Sequence, residues 1–250
     1  LLDLVAVHGQ TVYHAPPVSW QLCRPATIAQ LLGVPVVADL RGADLAAGGQ
    51  GAPITPLADL ILFRHPREAR VVVNLGGFAN YTALPACGDP LTPEVLAQVR
   101  GGDLCACNQL LDGAARRLIE RLYDEDGRTA AAGTARPELR DALVERLTAQ
   151  ARAGRSLGTG DELLDWLVAQ GSDVPAADLL RSLADAIGQV IARHVPAADR
   201  VLVAGGGARH RVLYEALGQH TGRPTTLTDG CGVLHHVREA AAMAVLGALC

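Results

Sequence analysis

Apolar residues recur along this chain with two periods. Short runs rich in valine end abruptly on polar residues or glycine, and longer stretches repeat leucine, alanine and isoleucine at three- and four-residue spacing. Leu4–Val7 is a run of the first kind, ending at His8-Gly9-Gln10-Thr11. Val34–Ala38 closes on Asp39, Val71–Leu75 on Gly76-Gly77, and Val201–Ala204 on Gly205-Gly206-Gly207. Brief β-branched runs bounded by turn residues predict buried strands. The second period predicts helices. Pro25–Leu32 reads as a short one stopped by Gly33. Leu110, Leu111, Ala114, Ala115, Leu118, Ile119 and Leu122 share one helical face, as do Leu179, Leu180, Leu183, Ala184, Ile187, Val190 and Ile191. In the latter helix Arg181, Asp185 and Gln189 are expected to face water. The nearly all-apolar Glu239–Leu249 predicts a well-buried closing helix. Strands alternating with helices argue for an α/β protein with a partly parallel sheet.

Two stretches fit neither period. Leu40–Leu57, rich in Gly, Ala and Pro, reads as a loop too long for a simple connection, and such loops in compact domains are usually functional. Arg152–Glu162, with three glycines, reads as a flexible join.

Composition narrows the class. The chain has 250 residues, 49% hydrophobic and 19% charged, with mean hydropathy +0.19, which suits one large domain or two small ones rather than a disordered chain. A net charge of −4 gives no basic field, so nucleic acid is not an expected partner. No apolar run is long enough to cross a bilayer and no leader opens the chain, so no membrane partner and a cytoplasmic location are expected. Leu1 stands where a natural chain starts with Met, and an N-terminal truncation is expected. All 22 basic residues are Arg, which excludes a Walker lysine and a Schiff-base lysine. The six cysteines are scattered. Only Cys105-Ala106-Cys107 is close-spaced and no second cluster answers it, so neither disulfides nor a metal site is expected.

The candidate chemistry lies in the glycine turns. Gly205-Gly206-Gly207, between a buried strand and the helical Val212–Leu217, suits contact with a nucleotide phosphate at a helix N-terminus. Asn74, Gly76, Gly77 and Asn80 form a second candidate: either a phosphate cradle whose glycines take positive φ, or a tight hairpin between Val71–Leu75 and Asn80–Leu84. Two such turns suggest a nucleotide held between related α/β halves. Phosphoryl transfer then calls for a carboxylate base, and Asp39, Asp44, Asp103, Asp229 and Glu239 are the candidates, each of them equally readable as a cap or a solvated loop acid. His8 reads as an exposed imidazole or a structural one. The GGQGAP run, Gly48–Pro53, reads as a ligand-approaching loop or a compact surface loop.

His8-Gly9-Gln10-Thr11, Val36–Asp39, Asp44–Pro53 with its AAGGQGAP core, Asn74–Asn80 and Gly205–Ala208 resemble, in order and spacing, the anhydro-N-acetylmuramic acid kinases. The resemblance implies an actin/hexokinase-like (ribonuclease H-like) two-lobed α/β fold whose first lobe is truncated. Residues 1–100 would be the remainder of the N-terminal lobe with sugar-side loops, and 101–250 the C-terminal lobe with the nucleotide turn. It implies ATP and Mg2+ as cofactors, a cell-wall sugar as substrate and a homodimer. Position by position it implies that Asp103 is the catalytic base activating water, that Glu239, Arg41 and His8 bind the sugar, and that Asn74, Gly76, Gly77, Gly205, Gly206 and Gly207 contact the nucleotide; no metal ligand is assigned. Departures from the family pattern are Cys105 and Cys107 in place of glycines after Asp103, Ser156–Glu162 in place of a more cationic run, and a single arginine, Arg41, where relatives carry three. The altered loop after Asp103 favours the alternative of a relative that binds sugar or nucleotide without turnover.

Overall fold

The computed structural model describes residues 2–155, 157, 163–170 and 174–250. Most of the expected Arg152–Glu162 join, and the Ser156–Glu162 run except Leu157, lie outside the described residues.

Near the N-terminus, strand β1 (Val5–Ala6) leads to a hairpin of β2 (Gln10–Ala15) and β3 (Val18–Leu22). Helix α1 (Pro25–Leu32) follows, and Gly33 ends it in the left-handed conformation that glycine adopts without a Cβ penalty. Strand β4 (Val36–Val37) returns to pair with β1 in parallel. Helices α2 (Leu40–Ala46) and α3 (Pro56–Phe63) come next. The predicted loop over Leu40–Leu57 is thus corrected: its first half is helical, because Asp39 caps it by accepting the Gly42 N–H at 3.1 Å.

The central sheet begins with the hairpin β5 (Arg70–Leu75) and β6 (Phe78–Leu84), then α4 (Pro93–Leu96) and β7 (Arg100–Ala106). Helices α5 (Asn108–Ile119), α6 (Arg128–Ala132), α7 (Pro137–Arg152), α8 (Leu164–Gln170) and α9 (Ala176–His194) precede β8 (Arg200–Ala204), α10 (Arg211–Thr221), β9 (Thr225–Leu227) and α11 (Arg238–Leu249). The sheet order is β7-β6-β5-β8-β9, and only β6 runs against the other four. Helices cover both faces of this mixed sheet, and its order and polarity are those of the expected actin/hexokinase-like α/β lobe. The boundary expected after residue 100 falls just inside β7, which is paired with β6 in this one sheet.

Alternation along β5 shows why the sheet is sandwiched. Val71, Val73 and Leu75 join the large core made with α5, α7, α9 and α10, whereas Val72 meets Leu60 and Phe63 of α3 on the other face. Three expectations need correction. Leu122 is exposed, because α5 ends at Ile119 and Glu120 turns left-handed. In α9, Asp185 does not face open water: α9 is central to its layer, so His220 of α10 lies 2.8 Å from its carboxylate and Arg140 of α7 3.8 Å. Helix α11 buries one stripe only (Arg238, Ala242, Met243, Gly247), since it lies across α3 and β1 at the margin of the core.

Candidate functional site

Arg41, in the first turn of α2, is the hub of a polar cluster. Its Nε donates to His8 Nε2 at 3.0 Å, and its Nη1 donates to the Gly51 carbonyl at 2.6 Å. Gln21 on β3 lies 3.2 Å from the His8 ring, so the imidazole is held from two sides. Burial pulls the Arg41 pKa down, while the charges of Glu239 and Asp103 oppose that pull. Both carboxylates therefore act on one guanidinium, although the three residues come from distant stretches of chain. Asp103 itself is half-buried. Burial raises its pKa, and the Leu157 N–H at 2.9 Å and Arg41 work against that rise.

A bulge aims Asp103. Ala79 pairs with Cys105 but Asn80 pairs with Asp103, so Leu104 is the extra residue of β7. Leu104 and Cys105 consequently both enter the large core, while the Asp103 carboxylate stays out of it and accepts the Leu157 N–H. Bulges of this kind commonly re-aim side chains beside active sites. Glu239, in the first turn of α11, is exposed. The structure thus bonds Arg41 to His8, and Asp103 and Glu239 act on Arg41 through their charges. Of the other candidate acids, Asp39 caps α2, Asp44 accepts the Gly51 N–H at 2.7 Å and Asp229 accepts the His235 N–H at 2.9 Å.

The two glycine turns stand side by side, because β5 and β8 are parallel neighbours with Asn74 opposite Ala204. Their carboxyl ends form the edge where open α/β sheets usually take ligands. Gly205 has φ +88°, and a Cβ there would lie 2.6 Å from the Leu75 carbonyl oxygen and 2.8 Å from Asn74 Oδ1. A Cβ on Gly207 would lie 2.5 Å from Asn108 Oδ1. These two glycines are demanded by the neighbouring strand rather than by a ligand. Gly206 differs: the nearest atom to a Cβ there is Asn108 Nδ2 at 3.9 Å, so its open side faces outward. At the other turn the hairpin forms, and neither Gly76 nor Gly77 takes the positive φ that a cradle would need. Their carbonyls instead accept the Asn108 N–H at 3.0 Å and the Gln109 N–H at 3.1 Å, satisfying donors at the start of α5.

Cys105 and Cys107 point inward. Both are fully buried in the large core, and burial pushes the Cys107 thiol up to about 12. The sulfur atoms therefore occupy core volume rather than the space beside Asp103, and neither thiol supplies a thiolate near neutral pH. No group of three or more His, Cys, Asp or Glu able to hold a metal occurs among the described residues.

Sequence reasoning missed the buried pair Asp59–Arg238. Arg238 Nε donates to Asp59 Oδ1 at 2.8 Å, its Nη2 donates to Asp59 Oδ2 and to Thr55 Oγ1, and Thr82 Oγ1 donates to Asp59 Oδ2 at 2.6 Å. The signal was a lone acid inside the apolar stretch Pro56–Phe63, where a charge is kept only if it is paired.

Fold and site together define an α/β protein with adjacent glycine turns at the carboxyl ends of parallel strands and an arginine-centred pair of carboxylates nearby. A family model for anhydro-N-acetylmuramic acid kinase matches residues 2–250. The chain belongs to that family. The anhydro-N-acetylmuramic acid kinase of Burkholderia orbicola is 41% identical over 85% of this chain and 56% of its own length. The corresponding protein of Synechocystis is 36% identical over 98% of this chain and 68% of its own. The chain thus spans a little over half to two thirds of the length of these relatives. Among solved structures, an activator of the 2-hydroxyisocaproyl-CoA dehydratase from Clostridium difficile with bound ADPNP aligns at a TM-score of 0.49 and 14% identity, over 85% of this chain and 66% of that one.

Proposed function

We propose that the whole protein phosphorylates 1,6-anhydro-N-acetylmuramic acid with ATP while opening its anhydro ring. The reading is supported by the charges of Asp103 and Glu239 acting on Arg41, whose guanidinium bonds His8, and by the two glycine turns on adjacent strands. Asp103 takes a proton from the water that attacks the anomeric carbon. The bond from that carbon to O6 breaks, O6 accepts the γ-phosphoryl group, and ADP leaves. A carboxylate whose pKa is raised by burial is a better proton acceptor for this step than a solvated one. Arg41, its charge balanced by two acids, binds the sugar with His8 and Glu239 and keeps Asp103 ionised. Gly206, with its open side, and the Gly205 and Gly207 backbone around it receive the nucleotide phosphates, while Asn74, Gly76 and Gly77 belong to the hairpin that backs this turn.

Mg2+ enters this proposal with the ATP phosphates, since it is usually held by phosphate oxygens, water and one or two carboxylates rather than by an all-protein cage. It would supply charge neutralisation at the phosphates, a need made greater by the absence of lysine. The reaction belongs in the cytoplasm, and a homodimer is part of this proposal. No helix among the described residues is long and apolar enough to cross a membrane.

The test is a coupled ADP-release assay on the full-length protein with 1,6-anhydro-N-acetylmuramic acid. Sugar-dependent ADP release that Asp103→Asn abolishes is the expected result. Sugar binding by calorimetry with no ADP release would overturn the kinase reading in favour of binding alone.

A further inference from the structure

Backbone groups of the GGQGAP loop turn inward. Asp44, near the end of α2, accepts the Gly51 N–H through Oδ2 at 2.7 Å, and its own carbonyl accepts the Gly49 N–H at 2.8 Å. A Cβ on Gly49 would overlap the Asp44 carboxylate. Gly51 takes φ +69°, and a Cβ there would lie 3.1 Å from both the His14 ring and Leu45. The glycines therefore let the loop fold back onto Asp44, which leaves the Gly51 carbonyl pointing at Arg41 Nη1, 2.6 Å away. The loop also braces β7: a Cβ on Gly101, two residues before Asp103, would lie 3.0 Å from Pro53.

We propose that Asp44 is a positioning residue: by tethering Gly51 it presents the carbonyl that orients the Arg41 guanidinium towards Asp103 and Glu239. This rests on the sugar-kinase reading for its consequence but not for its geometry. The family's glycine-rich loop then serves the site from behind, through an arginine. Only a hydrogen-bond acceptor is required at position 44, so a neutral amide is sufficient.

Two measurements on the full-length protein test it. In the ADP-release assay, Asp44→Ala raises the sugar KM about tenfold, equivalent to roughly 1.4 kcal/mol, and leaves the ATP KM unchanged, while Asp44→Asn restores the wild-type value. Independently of turnover, the Arg41 Nε–H resonance, assigned by its loss in Arg41→Gln, is protected from solvent exchange in the wild type and in Asp44→Asn. It loses that protection in Asp44→Ala. Gly49→Ala, which displaces the same carboxylate from the other side, reproduces the loss. Retained protection in Asp44→Ala would overturn the positioning role whatever the kinetics. Lost protection in a protein whose wild type releases no ADP would sustain the role and sink the kinase reading.

Discussion

At the scale of single residues, the proposed chemistry turns on Asp103. A base must be ionised to act, so activity falls as pH drops through the Asp103 pKa. Burial raises that pKa above the ordinary aspartate value of about 3.9, which places the acid limb of the kcat/KM profile at higher pH than a solvated aspartate would give. Arg41 pulls in the opposite direction, so Arg41→Gln moves the limb to still higher pH, in addition to weakening sugar binding. A pH–rate profile of the two proteins checks the sign; a limb that moves down, or does not move, removes Arg41 from contact with the base. Nothing in the local sequence around Asp103 reveals this. Asp39, Asp44, Asp103 and Asp229 each accept a backbone N–H, and only the tertiary structure adds the charge of Arg41 to Asp103.

At the scale of elements, the triple-glycine turn divides into two kinds of glycine. Gly205→Ala forces a side chain into the left-handed region and onto the Leu75 carbonyl, which costs roughly 1–3 kcal/mol of stability. Gly206→Ala meets no atom closer than 3.9 Å and leaves the melting temperature within a degree or so, a surface change being worth about 0.5 kcal/mol or less. If the open side of this turn receives phosphate, the same substitution raises the KM for ATP. Thermal melts paired with ATP kinetics on the two variants distinguish these effects. Unchanged ATP kinetics in Gly206→Ala would remove that residue from the nucleotide site. The strand–glycine–helix pattern was readable from the sequence, but the cause of the glycines was not. Gly205 and Gly207 are small because β5 lies against them, and strand neighbours across a parallel sheet are invisible to a one-dimensional pattern.

At the scale of the whole molecule, the last helix is tied to an early one by a fully buried ion pair. Removing one partner leaves a desolvated charge, so Asp59→Ala is expected to cost about 3–5 kcal/mol in a chemical denaturation experiment. Replacing both partners, as in Asp59→Leu with Arg238→Met, recovers most of that loss, because the penalty comes from the orphaned charge rather than from the absent attraction. Arg238 immediately precedes Glu239, so loosening this pair also frees the acid proposed to bind the sugar. A single variant as stable as the wild type would show that Arg238 finds water instead of burial.

The sequence by itself determined the alternation of strands and helices, the glycine stops, the apolar core positions of β5, α5 and α9, and the family to which the chain belongs. Each of these is written in short-range periodicity or in a contiguous motif, which the backbone converts directly into local structure. Only the tertiary structure decided which acids face Arg41, that the glycine-rich loop folds back on Asp44, that Cys105 and Cys107 fill the core, and that Asp59 pairs with Arg238. Those outcomes depend on strand order, on one bulge in β7 and on helices crossing the sheet. They join residues far apart in the chain through burial and charge, and neither quantity exists until the chain has closed on itself.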